Sequence, residues 1–361
     1  MQTAVTTQDT PTTSDDASSS EALPVDIDWA TAASVGRKVA RPGPRITRYT
    51  SAQARAELID AAVRAESPVR EVTGLADGLP VPSARVVDRA GWIDAAADSM
   101  PAMMADDAEP ATGWSAKLAG VQAGGMLAFL SSAILGQYDP FSVDPETGEP
   151  GVLLLVAPNI IGVERQLRVV PSDFRYWVCL HEVTHRVQFS ANPWLAGYMR
   201  DNVAGLADGD EDSVTEMLGR VTESLRGGKP REKGVIGLMQ LLQSPEQFAA
   251  FERMLLLGTL LEGHADHVMD AVGPAHVPTV DAIRKAFDAR RSGPRNPLQR
   301  LIRALIGMDA KIAQYVRGKA FVDEVVGTVG MERFNTIWTS PETLPLANEI
   351  DDPSAWISRV L

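Results

Sequence analysis

Apolar residues in this chain recur mostly at helical spacing, interrupted by short clusters of turn residues, and that alternation already suggests its architecture. Residues 51–66 are alanine-rich with Leu58, Ile59 and Val63 on one helical stripe, which predicts a helix ending before Pro68. Residues 92–104 and 114–135 predict two more helices, the second apolar enough to be buried. The same periodicity continues through 214–225, 235–242, 247–272 and 298–316. Strand signals are few: Val86-Val87 predicts a short strand, and Gly151 to Val156 is an apolar run entered from the turn chemistry of Asp139-Pro140 and residues 145–150. The expected fold class is therefore mostly α (α+β), with a small sheet.

Organisation follows from composition. Residues 1–25 are rich in Thr, Ser and Asp with almost no apolar groups to offset their ordering entropy, so they read as a disordered tail. Residues 26–150 form a mainly helical N-terminal part, and residues 151–361 carry the chemistry and pack with it as one unit. The uncharged stretch 118–138 is long enough to cross a bilayer, but Gln122, Ser131, Ser132 and four glycines dilute it, which predicts a core helix and no stable membrane insertion. Gly120 and Gly124, one turn apart, would let a neighbouring helix approach closely.

Charge and cysteine content narrow the partners. A net charge of −13 repels phosphate backbones and argues against nucleic-acid binding. The N-terminus lacks the basic and apolar regions of a secretory signal, so a cytoplasmic location is expected. The single cysteine, Cys179, excludes an intrachain disulfide and reads as a core residue. Nothing in the pattern indicates an oligomeric state.

The chemistry gathers around Cys179 to Phe189. A helix is expected from Ser172 as N-cap, with Asp173 favourable to its dipole, to about Ser190, where Asn192-Pro193 stops it. On it His181 and His185, four residues apart, share a face and can reach one ion. Glu182, about 100° further round, can reach a water on that ion and act as a general base. Of the five histidines, two more lie in the cluster Glu262-Gly263-His264-Ala265-Asp266-His267, which offers the third ligand.

Hydrolytic zinc takes three protein ligands and keeps one open position. Gln188 and Ala191 stand where a metzincin would have Gly and His, which excludes that class. The acidic run Asp208 to Asp212 reads as a solvated loop and helix start. Glu262, next to the apolar run 254–261, is a carboxylate on a buried helix that needs a partner. Asp266 lies on the same face, placed to orient a ligating imidazole, whereas His264 and His267 point elsewhere.

His181-Glu182-x-x-His185 followed far downstream by Glu262-x-x-x-Asp266 resembles the gluzincin arrangement. More narrowly, the chain is similar to actinobacterial zincin-like hydrolases, some of them associated with deazaflavin-cofactor biosynthesis. The similarity is carried by Ile27-Asp28-Trp29, Arg70 to Leu75, Val156 to Ile160, Asp173 to Trp177 and Glu262 to Ala265. It implies a zincin-like core with a small sheet beside the active-site helix, and a metallopeptidase-like activity on a peptide or other amide substrate that it does not name. In that reading His181, His185 and Glu262 hold one Zn²⁺, Glu182 is the base, and the strand at 152–156 pairs with an extended peptide. The oxyanion donor is open among Tyr198, His264, His267 and His276. The alternative is a non-catalytic protein in which zinc braces two helices, closes its fourth position and leaves function to partner binding.

Overall fold

The structure is a computed structural model that describes residues 27–104, 113–144, 148, 150–207, 244–292 and 312–361. The N-terminal tail, the acidic run at 208–212, the helices expected at 214–225 and 235–242 and most of that at 298–316 lie outside those residues. In chain order come α1 (Trp29–Val39), α2 (Arg48–Thr73), β1 (Arg85–Val87), α3 (Arg89–Met103), α4 (Trp114–Leu130), β2 (Gly136–Val143) and β3 (Pro150–Val156). They continue with α5 (Ala157–Leu167), α6 (Pro171–Ala191), α7 (Trp194–Ala207), α8 (Pro245–His276), α9 (Val280–Ser292), α10 (Ile312–Val329), α11 (Met331–Phe334) and α12 (Pro353–Val360).

The fold is mostly α around one three-stranded sheet of order β1-β3-β2. β3 lies in the centre, parallel to β1 through Val86↔Leu155 and antiparallel to β2 through Tyr138↔Leu153. Successive side chains of a strand face opposite sides, and β3 uses both. Leu153 and Leu155 join a core with Leu58 and Val69 of α2, Phe174 and Val183 of α6, and Val268 of α8. Val152, Leu154 and Val156 pack on the other side against Ala32, Trp92, Ile93 and Leu127 of α1, α3 and α4. A third core ties Leu257 and Leu260 of α8 to Phe321 and Val325 of α10 and to Phe334, Trp338 and Trp356.

Four local expectations change. α2 runs through Pro68 to Thr73 and ends at Gly74, whose φ of 64° suits glycine. Pro68, Val69 and Thr73 are buried there, so packing outweighs the roughly 3 kcal/mol that proline costs a helix interior. α6 starts at Pro171 without a side-chain cap. Asp173 stands in the first turn as expected, and it also accepts hydrogen bonds from the backbone N–H (3.1 Å) and hydroxyl (2.7 Å) of Thr279, anchoring the entry to α9. Asp139-Pro140 belongs to β2 rather than to a turn, at a register shift in an edge strand, where proline is tolerated. Buried Asp139 accepts from the N–H of Phe141 (3.0 Å) and the hydroxyl of Ser142 (2.6 Å), supplying partners that the ladder omits. α4 stops at Leu130, short of the expected 135.

The close approach expected at α4 is present. A Cβ on Gly120 would lie 2.5 Å from the carbonyl oxygen of Asp28, and one on Gly124 2.6 Å from that of Ala32, so α1 and α4 touch backbone to backbone. Among the described residues no helix is long and apolar enough to cross a membrane. Cys179 is fully buried, and that burial raises its thiol pKa, which keeps it an unreactive packing residue.

Candidate metal centre

α6 lies between α2 and α8, and its polar face emerges where it crosses α8. His181 and His185 project from adjacent turns, with ring centroids 4.7 Å apart at 89°. Their Nε2 atoms are 3.1 Å apart. Glu262 of α8 meets both: Oε2 is 3.5 Å from Nε2 of His181, and Oε1 is 3.3 Å from Nε2 of His185. One donor atom from each residue falls within 4.8 Å of the other two. Two imidazole nitrogens facing each other at this distance repel unless a proton or cation lies between them, and an N, N, O donor set is one that hydrolytic zinc takes. The residues fit the metal.

The packing of α8 against α10 beside the site is built by glycine. A Cβ on Gly263 would stand 2.3 Å from the backbone carbon of Gly318 in α10, and one on Gly318 2.2 Å from the carbonyl oxygen of Thr259. α10 therefore presses directly on the turn of α8 that carries Glu262. Gly136 of β2 does the same for Glu182: its missing Cβ leaves room for the Glu182 carboxyl, which a Cβ would meet at 2.7 Å.

Electrostatics follow from these contacts. Burial alone would lower the His181 pKa, but the hydrogen bond and charge of Glu262, joined by Glu182 and Asp266, raise it to about 9 in the metal-free state. Glu262 moves the other way: burial would raise its pKa, and the two histidines hold it well below the usual carboxylate range. Glu182 is only 6% exposed, and its burial raises its pKa against the opposing pull of His181 and His185.

Among the described residues the remaining candidates make no direct hydrogen-bond or ion-pair contact with the donor set. Asp266 reaches His181 by charge alone, with no hydrogen bond to either imidazole among the described residues. The second ring nitrogens are held elsewhere: Nδ1 of His181 is 3.3 Å from the sulfur of Met269, and Nδ1 of His185 is 2.9 Å from Oε1 of Gln188. Orientation of the histidines thus falls to residues that sequence spacing did not select. Gln188 was legible only as the residue that breaks the metzincin pattern. The one signal that could have singled it out is that it lies on the same helix, three residues beyond His185.

Tyr198 stacks edge-on against Trp194 (5.9 Å), and His267 pairs through Nδ1 with Asp323 (2.7 Å). His276 ends α8 in solvent. His264 is fully buried between Phe334 and Trp338, and that burial lowers its pKa to about 3, so its ring is neutral. None of the four has a hydrogen bond or ion pair to His181, Glu182, His185 or Glu262 among the described residues. The peptide-pairing role expected of β3 is also displaced, because both its edges are occupied by β1 and β2. β2 is the edge strand next to Glu182.

A helix bearing two histidines and a glutamate, completed by a carboxylate from a second helix beside a small sheet, is the arrangement of a zincin. The model of the zincin-like metallopeptidase family matches residues 27–357, and the chain belongs to that family, which implies zinc at this site and supports a hydrolase. Among solved structures it is similar to a protein of Chloroflexus aurantiacus described as a "putative hydrolase with a novel fold". The two are 30% identical with a TM-score of 0.64, over 92% of this chain and 98% of that one. No curated protein matches.

Proposed function

We propose that this protein is a zinc-dependent hydrolase of peptide or other amide bonds, with His181, His185 and Glu262 as the ligands of one ion and Glu182 as the general base. The observation that carries this reading is that the donor set reaches solvent: the Glu262, His181 and His185 side chains are 43%, 21% and 14% exposed, although the helix beneath Glu262 is largely buried. Donors that meet at the surface leave a substrate room to approach, whereas an ion that only braces two helices is enclosed by them. Zinc bound here would supply a water with a pKa near 7 and polarise the scissile carbonyl.

The chain's own groups divide the remaining work. Glu182, packed against Gly136, takes a proton at its carboxylate from the attacking water and delivers it to the departing amine. Burial raises its pKa, which suits both halves of that transfer. Among the described residues β2 pairs only with β3, and its outer edge is the side on which an extended substrate would add as a further strand.

The test is zinc content and hydrolysis of a mixed peptide library by wild type and Glu182→Gln. Retained zinc with lost turnover is expected, and unchanged turnover would sink the mechanism.

A further inference from the structure

Gln188 is fully buried between the two helices that carry the donors. Its Nε2 lies 3.1 Å from the carbonyl oxygen of Leu261 and 2.9 Å from Nδ1 of His264, and its Oε1 lies 2.9 Å from Nδ1 of His185. Chemistry fixes which way round this amide sits. A backbone carbonyl only accepts, so the atom facing Leu261 is the NH₂ and the opposite atom is the oxygen. That oxygen only accepts in turn, so Nδ1 of His185 carries a proton. In the neutral ring the lone pair is therefore on Nε2, and Nε2 is the atom turned towards His181 and Glu262.

We propose that Gln188 is a positioning residue that locks His185 in the Nδ1–H form, so that Nε2 is ready to bind metal. By holding the Leu261 carbonyl with the same carboxamide, it also fixes α6 against the turn of α8 that bears Glu262. The proposal rests on His185 being a metal ligand. It deepens that reading by assigning the tautomer, which Asp266 does not set.

Two observations separate this role from simple filling of space. Burying a primary amide without its bonds is costly, so volume alone would favour an apolar side chain here. Instead both hydrogens and the oxygen of the amide are used. Further out, His264 accepts at Nδ1, which puts its own proton on Nε2, a buried atom without a hydrogen-bond partner among the described residues. An unpaired buried N–H is destabilising. The fold tolerates that cost at the end of a chain running from His264 through Gln188 to His185, where the tautomer of each ring follows from the amide between them.

The experiment measures zinc affinity by competition with a chelating dye on full-length wild type, Gln188→Leu and His185→Ala. A second measurement records histidine nitrogen-15 spectra of zinc-loaded wild type. Gln188→Leu keeps the volume and removes all three bonds, and its zinc affinity is expected to fall about 10–100-fold. Loaded wild type should show a His185 Nδ1 proton protected from exchange with water, a signal that a packing role would not produce. Should the leucine variant not fold, this wild-type spectrum decides alone. Equal affinity in wild type and Gln188→Leu, or a His185 without that proton, overturns the proposal. Equal zinc in His185→Ala overturns the ligand reading instead, and this proposal with it.

Discussion

α6 and α8 serve one site by different means. α6 supplies His181, Glu182 and His185 from a single stretch of helix, and the periodicity of that helix places all three. α8 supplies one carboxylate, and its position depends on contacts with other elements: Gly263 against Gly318, and the Leu261 carbonyl against Gln188. The α6 half is local in its spacing, although the ring and carboxyl orientations still draw on Met269 and Gly136. The α8 half is tertiary and is only as accurate as one close approach between backbones and one side-chain hydrogen bond.

That contrast can be broken in stages. Replacing His185 by alanine removes one of the two proposed α6 ligands, and zinc binding and turnover should both fall to background in metal analysis and peptide-hydrolysis assays. Glu182→Gln removes no ligand, so turnover should drop about 10²–10⁴-fold while zinc stays bound, as is usual for loss of a general base. Stripping the metal with a chelator should lower wild-type stability by about 2.7 kcal/mol relative to protein held at zinc a hundredfold above its Kd. Thermal melts of His185→Ala should show no such difference.

The smallest effect tests the α8 half directly. Gly263→Ala puts a methyl into the Gly318 backbone, and overpacking of this kind costs about 1–3 kcal/mol. Gly124→Ala crowds the α1–α4 contact in the same way. Denaturant unfolding should show comparable losses in both. Weakened zinc binding is expected only for Gly263→Ala, and equal weakening in both variants would mean that the glycine crossing has no special relation to the site.

Much of the α6 half could be read from the residues alone, because four-residue spacing on a helix is a complete geometric statement. Glu262 was reachable by a weaker argument, a carboxylate on an apolar helix that needs a partner. Gln188 was not, because its meaning comes from Leu261 and His264, more than seventy residues away in the chain. β2 was hidden for a similar reason: Asp139-Pro140 has the chemistry of a turn, and only the pairing with β3 and the Asp139 side-chain bonds make it a strand. α2 shows the converse, a local stop signal at Pro68 overridden by burial on both sides of it. Where a residue's environment lies within its own helix it was legible, and where it is completed from afar it was not.

The separation of the donors along the chain has a consequence for biosynthesis. His181 and His185 leave the ribosome about 80 residues before Glu262, a delay on the order of 4–16 s at usual rates of translation. During that interval a nascent chain displays a two-histidine site with no carboxylate and no α10 to press α8 into place. Two imidazoles without the carboxylate do not make up the N, N, O donor set, so a site completed by Glu262 would discriminate among ions only after that residue has arrived. Loading with the correct ion then becomes a late event, coupled to closure of the crossing between α8 and α10.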